Sequence, residues 1–146
     1  SERTTPRAAF STQIWAAATG DVNLEQSAII LTPDGRAKIE ALLATLPPSS
    51  RSNYATPEKL MASVLAGSPH PVGGMQVISE TQPTADDVVL QTEWQHADDS
   101  IVHHSNVELQ HDSNGWRMVV PMVLVDRAVA YMSRNYGPNS VTTGKK

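Results

Sequence analysis

The sequence predicts a single α+β domain, with helices first, then an antiparallel sheet of consecutive hairpins, then a C-terminal helix. Three observations predict it. Threonine-proline pairs open three apolar-periodic stretches in the first half, at Thr5-Pro6, Thr32-Pro33 and Thr56-Pro57. The apolar period switches from helical to alternating after Gly73-Gly74. Turn-forming residues then separate the alternating stretches, ending with Asn114-Gly115.

Each threonine-proline pair is a helix start. The hydroxyl accepts a hydrogen bond from an orphan amide of the first turn, and proline at the first helical position has no amide to lose. After Pro6, Phe10, Ile14 and Ala17 recur at helical spacing until Gly20-Asp21 breaks the run. Residues 22–31 read as a short helix, with an Ile29-Ile30-Leu31 run that also suits a strand. After Pro33, Ala37, Leu42, Leu43 and Leu46 form a stripe halted by Pro47-Pro48. Residues 49–53 read as a polar loop. After Pro57, Leu60, Met61, Val64 and Leu65 lead to Gly67, and residues 67–74 form a second loop.

Strands are expected at residues 75–81, 87–96, 101–111 and 116–121. The breaks are Pro83-Thr84-Ala85-Asp86, Ala97-Asp98-Asp99-Ser100 and Asp112-Ser113-Asn114-Gly115. Asn-Gly between alternating stretches is the strongest short hairpin signal. Residues 125–135 return to helical spacing, with Val129 and Met132 on one face. The domain spans residues 1–136, and the Gly-, Ser-, Thr- and Lys-containing tail 137–146 is expected to be frayed and flexible.

Composition narrows the function classes. At 146 residues, 40% hydrophobic and 18% charged, the chain can bury a core and does not resemble a disordered one. A net charge of −4 with eleven scattered Lys and Arg gives no footprint for nucleic acid. The absence of cysteine removes disulfides, thiolate chemistry and Cys-ligated zinc. No apolar run reaches the roughly 18 to 20 residues of a membrane span. The polar opening Ser1-Glu2-Arg3-Thr4-Thr5 reads as the stump of a trimmed export signal, periplasmic or extracellular, with the compartment itself left open.

The hairpin turns predict a register. If His96 stands across from Ile101, one face pairs Val88 with Leu109, Leu90 with Val107, Thr92 with Ser105 and Trp94 with His103. The other pairs Glu93 with His104 and Gln91 with Asn106. A one-residue slip would mix these faces, so the pattern specifies the register. Leu90, Val107, Leu109 and Val120 are then core, joined by Met118. The apolar face turns polar at Thr92, Trp94, His103 and Ser105, which makes them, with Trp15 of the first helix, candidates for a pocket mouth between sheet and helices. The plainer account is a rim whose polar groups bond to each other and to water.

The Thr-Pro helix starts, the Trp15 to Gly20-Asp21 stretch and the hairpins ending in Gly115-Trp116-Arg117 carry a resemblance over residues 5–121. They resemble the nuclear-transport-factor-two-like superfamily, with its polyketide cyclases, ketosteroid isomerases and many exported bacterial domains, a cystatin-like fold. The resemblance implies helices packed on the concave face of a strongly curved sheet, a cone with a pocket, and dimers formed through the sheet. The enzymes of that family place an acid-base Asp or His with a partner deep in the cone. No segment here matches those constellations, and the helix after Pro121 is additional to the plain fold.

Among single residues, His103 is the first candidate for a base or ligand-orienting donor, beside Trp94 and one pleat from Ser105. No carboxylate shares its face in this register, which favours a satisfied rim histidine. His103 and His104 point to opposite faces and cannot form a metal pair. His70 and His111 are isolated and His96 lies across from Ile101, so no metal and no cofactor are expected. No Gly-x-Ser-x-Gly elbow supports a hydrolase triad. Asp86-Asp87 and Asp98-Asp99 read as solvated turn residues. Gly73-Gly74 lacks the lysine of a phosphate loop. Trp15 lies off its helix's apolar stripe, to face a second surface or to pack under the following loop. The five methionines read as core fillers.

Two function classes stay open. One is a non-catalytic binding or protein-interaction module, taking a small apolar molecule, a protein partner or a second copy through the sheet. The other is a small isomerase, cyclase or hydrolase using His103 with Ser105 or Thr92 in an apolar cone. Whether the mouth is open, or plugged by Trp94 or Trp15, discriminates between them.

Overall fold

The computed structural model describes residues 4–67, 72–98 and 100–136. His70, Asp99 and the tail 137–146 lie outside the described residues. In chain order the elements are α1 (Pro6–Thr19), α2 (Val22–Ser27), β1 (Ile29–Ile30), α3 (Pro33–Thr45), α4 (Pro48–Arg51) and α5 (Pro57–Gly67). They continue with β2 (Val72–Thr84), β3 (Asp87–His96), β4 (His103–Asp112), β5 (Gly115–Val119) and α6 (Met122–Tyr136). N-terminal helices and a C-terminal helix accompany a curved, unclosed, five-stranded sheet.

The three threonine caps form as the sequence predicts. The hydroxyls of Thr5, Thr32 and Thr56 accept from the amides of Ala8 at 3.1 Å, Gly35 at 3.0 Å and Lys59 at 3.1 Å. Gly20 ends α1 in the left-handed region, φ 75°. Its side-chain-free backbone lets the chain reverse there, and Asp21 then caps α2 by accepting from Leu24 N–H at 3.0 Å.

The strand order is β1-β5-β4-β3-β2. The predicted register holds at all six pairs, from Val88 with Leu109 to Trp94 with His103. The purely antiparallel expectation is corrected at one edge. Ile29 and Ile30 run parallel to Met118 and Val119 of β5, so the sheet is mixed. The amides of Met118 and Val120 donate to Ala28 and Ile30 carbonyls at 2.9 Å, which gives β5 an outer neighbour. Helix and strand therefore both occur within 22–31.

Other boundaries shift for local reasons. Residues expected to be a polar loop form the single turn α4, with Pro48 at its first position. Helix α6 begins at Met122, three residues early, because the Pro121 carbonyl accepts from Leu124 and Val125 amides. Ile101 and Val102 stay outside the β4 ladder and exposed.

One core joins the layers. Phe10 of α1, Ile39 and Leu42 of α3, and Leu60 and Met61 of α5 meet Val88, Leu90, Leu109 and Met118 of the sheet. Val125, Ala128 and Met132 of α6 complete it. Leu90, Leu109 and Val120 are fully buried as expected, but Val107 is only half-buried. Cover on β4 thins from Leu109 toward the hairpin tip, because α1 lies against β5. Met75 likewise departs from its expected core role and is exposed on β2, an edge strand.

Candidate functional site

The thinning cover leaves the inner face half-open where its residues turn polar. Thr92, Trp94, His103 and Ser105 stand there together, held by the β3–β4 register. They bond chiefly to one another. The Trp94 Nε1–H donates to the Ser105 hydroxyl at 2.9 Å, and the Thr92 hydroxyl donates to the Ser105 carbonyl at 3.1 Å. Thr92 is buried, so this bond removes a desolvation cost of roughly 1 to 3 kcal/mol.

The Trp94 and His103 rings stack, with centroids 4.4 Å apart and planes 19° from parallel. His96 closes the group edge-on, 5.0 Å from Trp94 and 5.4 Å from His103. Placing His96 opposite Ile101 missed this contact, although its parity with Trp94 on β3 was the available signal. Nε2 of His103 is buried with no hydrogen-bond partner. Such a nitrogen can donate or accept, depending on its tautomer.

On the outer face, Glu93 accepts from Gln76 Nε2 at 3.3 Å and lies 3.1 Å from His104 Nε2. The hydrogen bond with His104, then that with Gln76, holds the Glu93 carboxyl below its ordinary range. An open groove of about 300 Å³ lies at this end of the sheet, lined by Met75, Gln76, Glu93, Trp94 and Val102 among others, so it reaches the Trp94 cluster as well as Glu93.

Trp15 is not part of this cluster. It is 58% exposed and lines a different groove with Ser11, Thr12 and Leu24. Rather than packing under the following loop, Trp15 stays exposed, and the Gly20-Asp21 break turns α2 so that Leu24 stands on the same groove. Beneath that helix pair lies a group the sequence did not single out. Glu25 is fully buried and accepts from Gln13 Nε2 at 2.7 Å. Burial pushes its carboxyl up to about 7, against the lowering hydrogen bond from Gln13. Nothing local marks it, since its burial comes from α2 packing on α1 and α5.

Among the described residues no three His, Asp or Glu side chains stand together as a metal site would. His111 sits beside Asp86 and against the Trp116 ring. No helix of the described residues is long and apolar enough to cross a membrane.

No protein-family model matches the chain, and no curated protein matches it. Two solved structures are similar in shape. A SEC-C motif containing protein from Rhodopseudomonas palustris aligns over 80% of this chain and 77% of its own, at 10% identity and a TM-score of 0.44. A putative NTF2-like transpeptidase from Campylobacter jejuni aligns over 80% of this chain and 100% of its own, at 14% identity and a TM-score of 0.42.

Proposed function

We propose that this chain is a non-catalytic interaction module on a nuclear-transport-factor-two-like cone, associating through the open end of its sheet. The observation that carries this reading is the closure of the polar end upon itself. A nucleophile needs a free lone pair aligned with a base, and a base needs an orienting partner. The Ser105 hydroxyl instead accepts from Trp94, the Thr92 hydroxyl donates to backbone, and the His103 ring lies flat on the Trp94 indole. Side chains engaged with one another in this way support the interaction-module reading over the catalytic one.

The exposed apolar residues support the same reading. Met75 and Val102 line the groove at the open end of the sheet, Ile101 adjoins Val102, and Ile78 follows on the edge strand β2, all exposed. The outer face beside them is polar but lightly charged, with Gln91, Glu93, His104 and Asn106. Such a surface suits a second copy, since little charge must be desolvated. Sedimentation equilibrium tests it. The wild-type chain is expected to self-associate, and Ile101→Asp with Val102→Asp to sediment as a monomer with unchanged circular dichroism. A wild-type chain that stays monomeric into the millimolar range overturns self-association.

One observation favours a second reading. The partnerless Nε2 of His103 could serve as a base in a small isomerase, cyclase or hydrolase. Turnover of enolisable ketones or esters that disappears in His103→Ala would establish it.

A further inference from the structure

We propose that Glu25 is a proton-operated latch between α1 and α2. Neutral, it holds the two helices together; on losing its proton it loosens them and the groove they form around Trp15.

The geometry sets the argument. Glu25 is 0% exposed, and the carboxamide of Gln13 reaches one of its oxygens, Oε2, from α1 at 2.7 Å. Oε1 is buried with no partner among the protein atoms. A neutral carboxyl fits this arrangement: Oε2 is the carbonyl oxygen accepting from Gln13, and the proton sits on Oε1. An ionised one does not, because two charged oxygens would share a single donor out of water.

The charged groups on the packed elements do not supply what is missing. Arg7 of α1 is paired with Glu80, and Asp21 caps α2. On α5, Glu58 is paired with Arg36, and Lys59 stands next to it in sequence. The proton affinity of Glu25 answers to burial first and the Gln13 bond second, with no cation contributing. The carboxyl therefore titrates near neutrality, at about 7.

The consequence is local. Helix α2 has six residues, too few to persist without its packing. Thr12 and Leu24, which line the Trp15 groove, are the chain neighbours of Gln13 and Glu25. Separating the latch must therefore move both walls of that groove.

The test compares the wild-type chain with Glu25→Gln, which keeps the size and the neutral state. Urea midpoints are measured between the ordinary glutamate value of 4.5 and above 7. The wild-type midpoint should fall as pH rises through this window, and the variant should lack that fall. Amide exchange in Leu24–Ser27, corrected for intrinsic base catalysis, should speed up over the same window while α6 does not. Identical pH profiles in the two proteins, or equal acceleration in α2 and α6, would overturn the latch. Should Glu25→Gln fail to fold, the wild-type carboxyl carbon read by NMR still tests it, and a midpoint near 4.5 refutes it.

Discussion

The indole N–H of Trp94 reaches diagonally across the β3–β4 ladder to the Ser105 hydroxyl at 2.9 Å, past its direct neighbour His103. That reach fixes the indole plane, and the His103 ring then lies parallel on it. Ser105→Ala removes the acceptor but keeps the strand. It should cost about 1 kcal/mol, since the indole N–H is left without its partner in a part-buried place. Urea denaturation measures this, and the near-ultraviolet circular dichroism of Trp94 should weaken. An unchanged spectrum would mean that stacking alone orders the ring.

Leu109 sits at the opposite, covered end of the same strand, fully buried between sheet and helices. Leu109→Ala should cost roughly 2 to 5 kcal/mol, the range for deleting a large side chain from a rigid core. A loss under about half a kcal/mol would show that this face is not the core.

On the outer face, Glu93 is held below its ordinary range by its bonds to His104 and Gln76. A depressed carboxylate contributes stability that is present above its unfolded value and lost as pH falls through its folded one. The His104 and Gln76 pairings therefore weaken on acidification below the glutamate range, whereas the Glu25 effect runs the other way, between 4.5 and about 7. In His104→Ala the Glu93 carboxyl carbon should titrate closer to 4.5, and an unmoved midpoint would assign the shift to Gln76 alone.

How far the chain was legible follows the range of the interactions. The capped helix starts and the β3–β4 register depend on residues close in sequence, and the four-residue turn with the alternating pattern placed Trp94 against His103. Ile29–Ile30 could not be told from a helix end, because a two-residue strand exists only through its pairing with Met118–Val119, 89 residues on. Glu25 was invisible for the same reason: a lone glutamate in a short helix looks solvated until α1 and α5 close over it. Val107 shares the parity of Leu109, but parity shows which face a residue takes and not how far the helices extend over it. Trp15 lies off its apolar stripe and is exposed, while the presence of Leu24 on the same groove depended on the turn at Gly20.

The polar end of the inner face separates the two functional readings most sharply through His103. In an interaction module its ring is a wall, stacked on Trp94 and touched edge-on by His96. His103→Ala would then remove a flat contact and leave self-association within about threefold of wild type, a change of less than about 0.7 kcal/mol. His103→Phe would restore the stack without a titratable nitrogen. If the imidazole is instead a base or a ligand-orienting donor, both variants lose the activity alike, because neither carries a nitrogen at that place. Measuring His103→Ala and His103→Phe side by side, for association and for turnover, therefore reads stacking and proton chemistry separately. Association kept within threefold in both variants supports the wall; equal loss of turnover in both, with the fold intact by circular dichroism, overturns it.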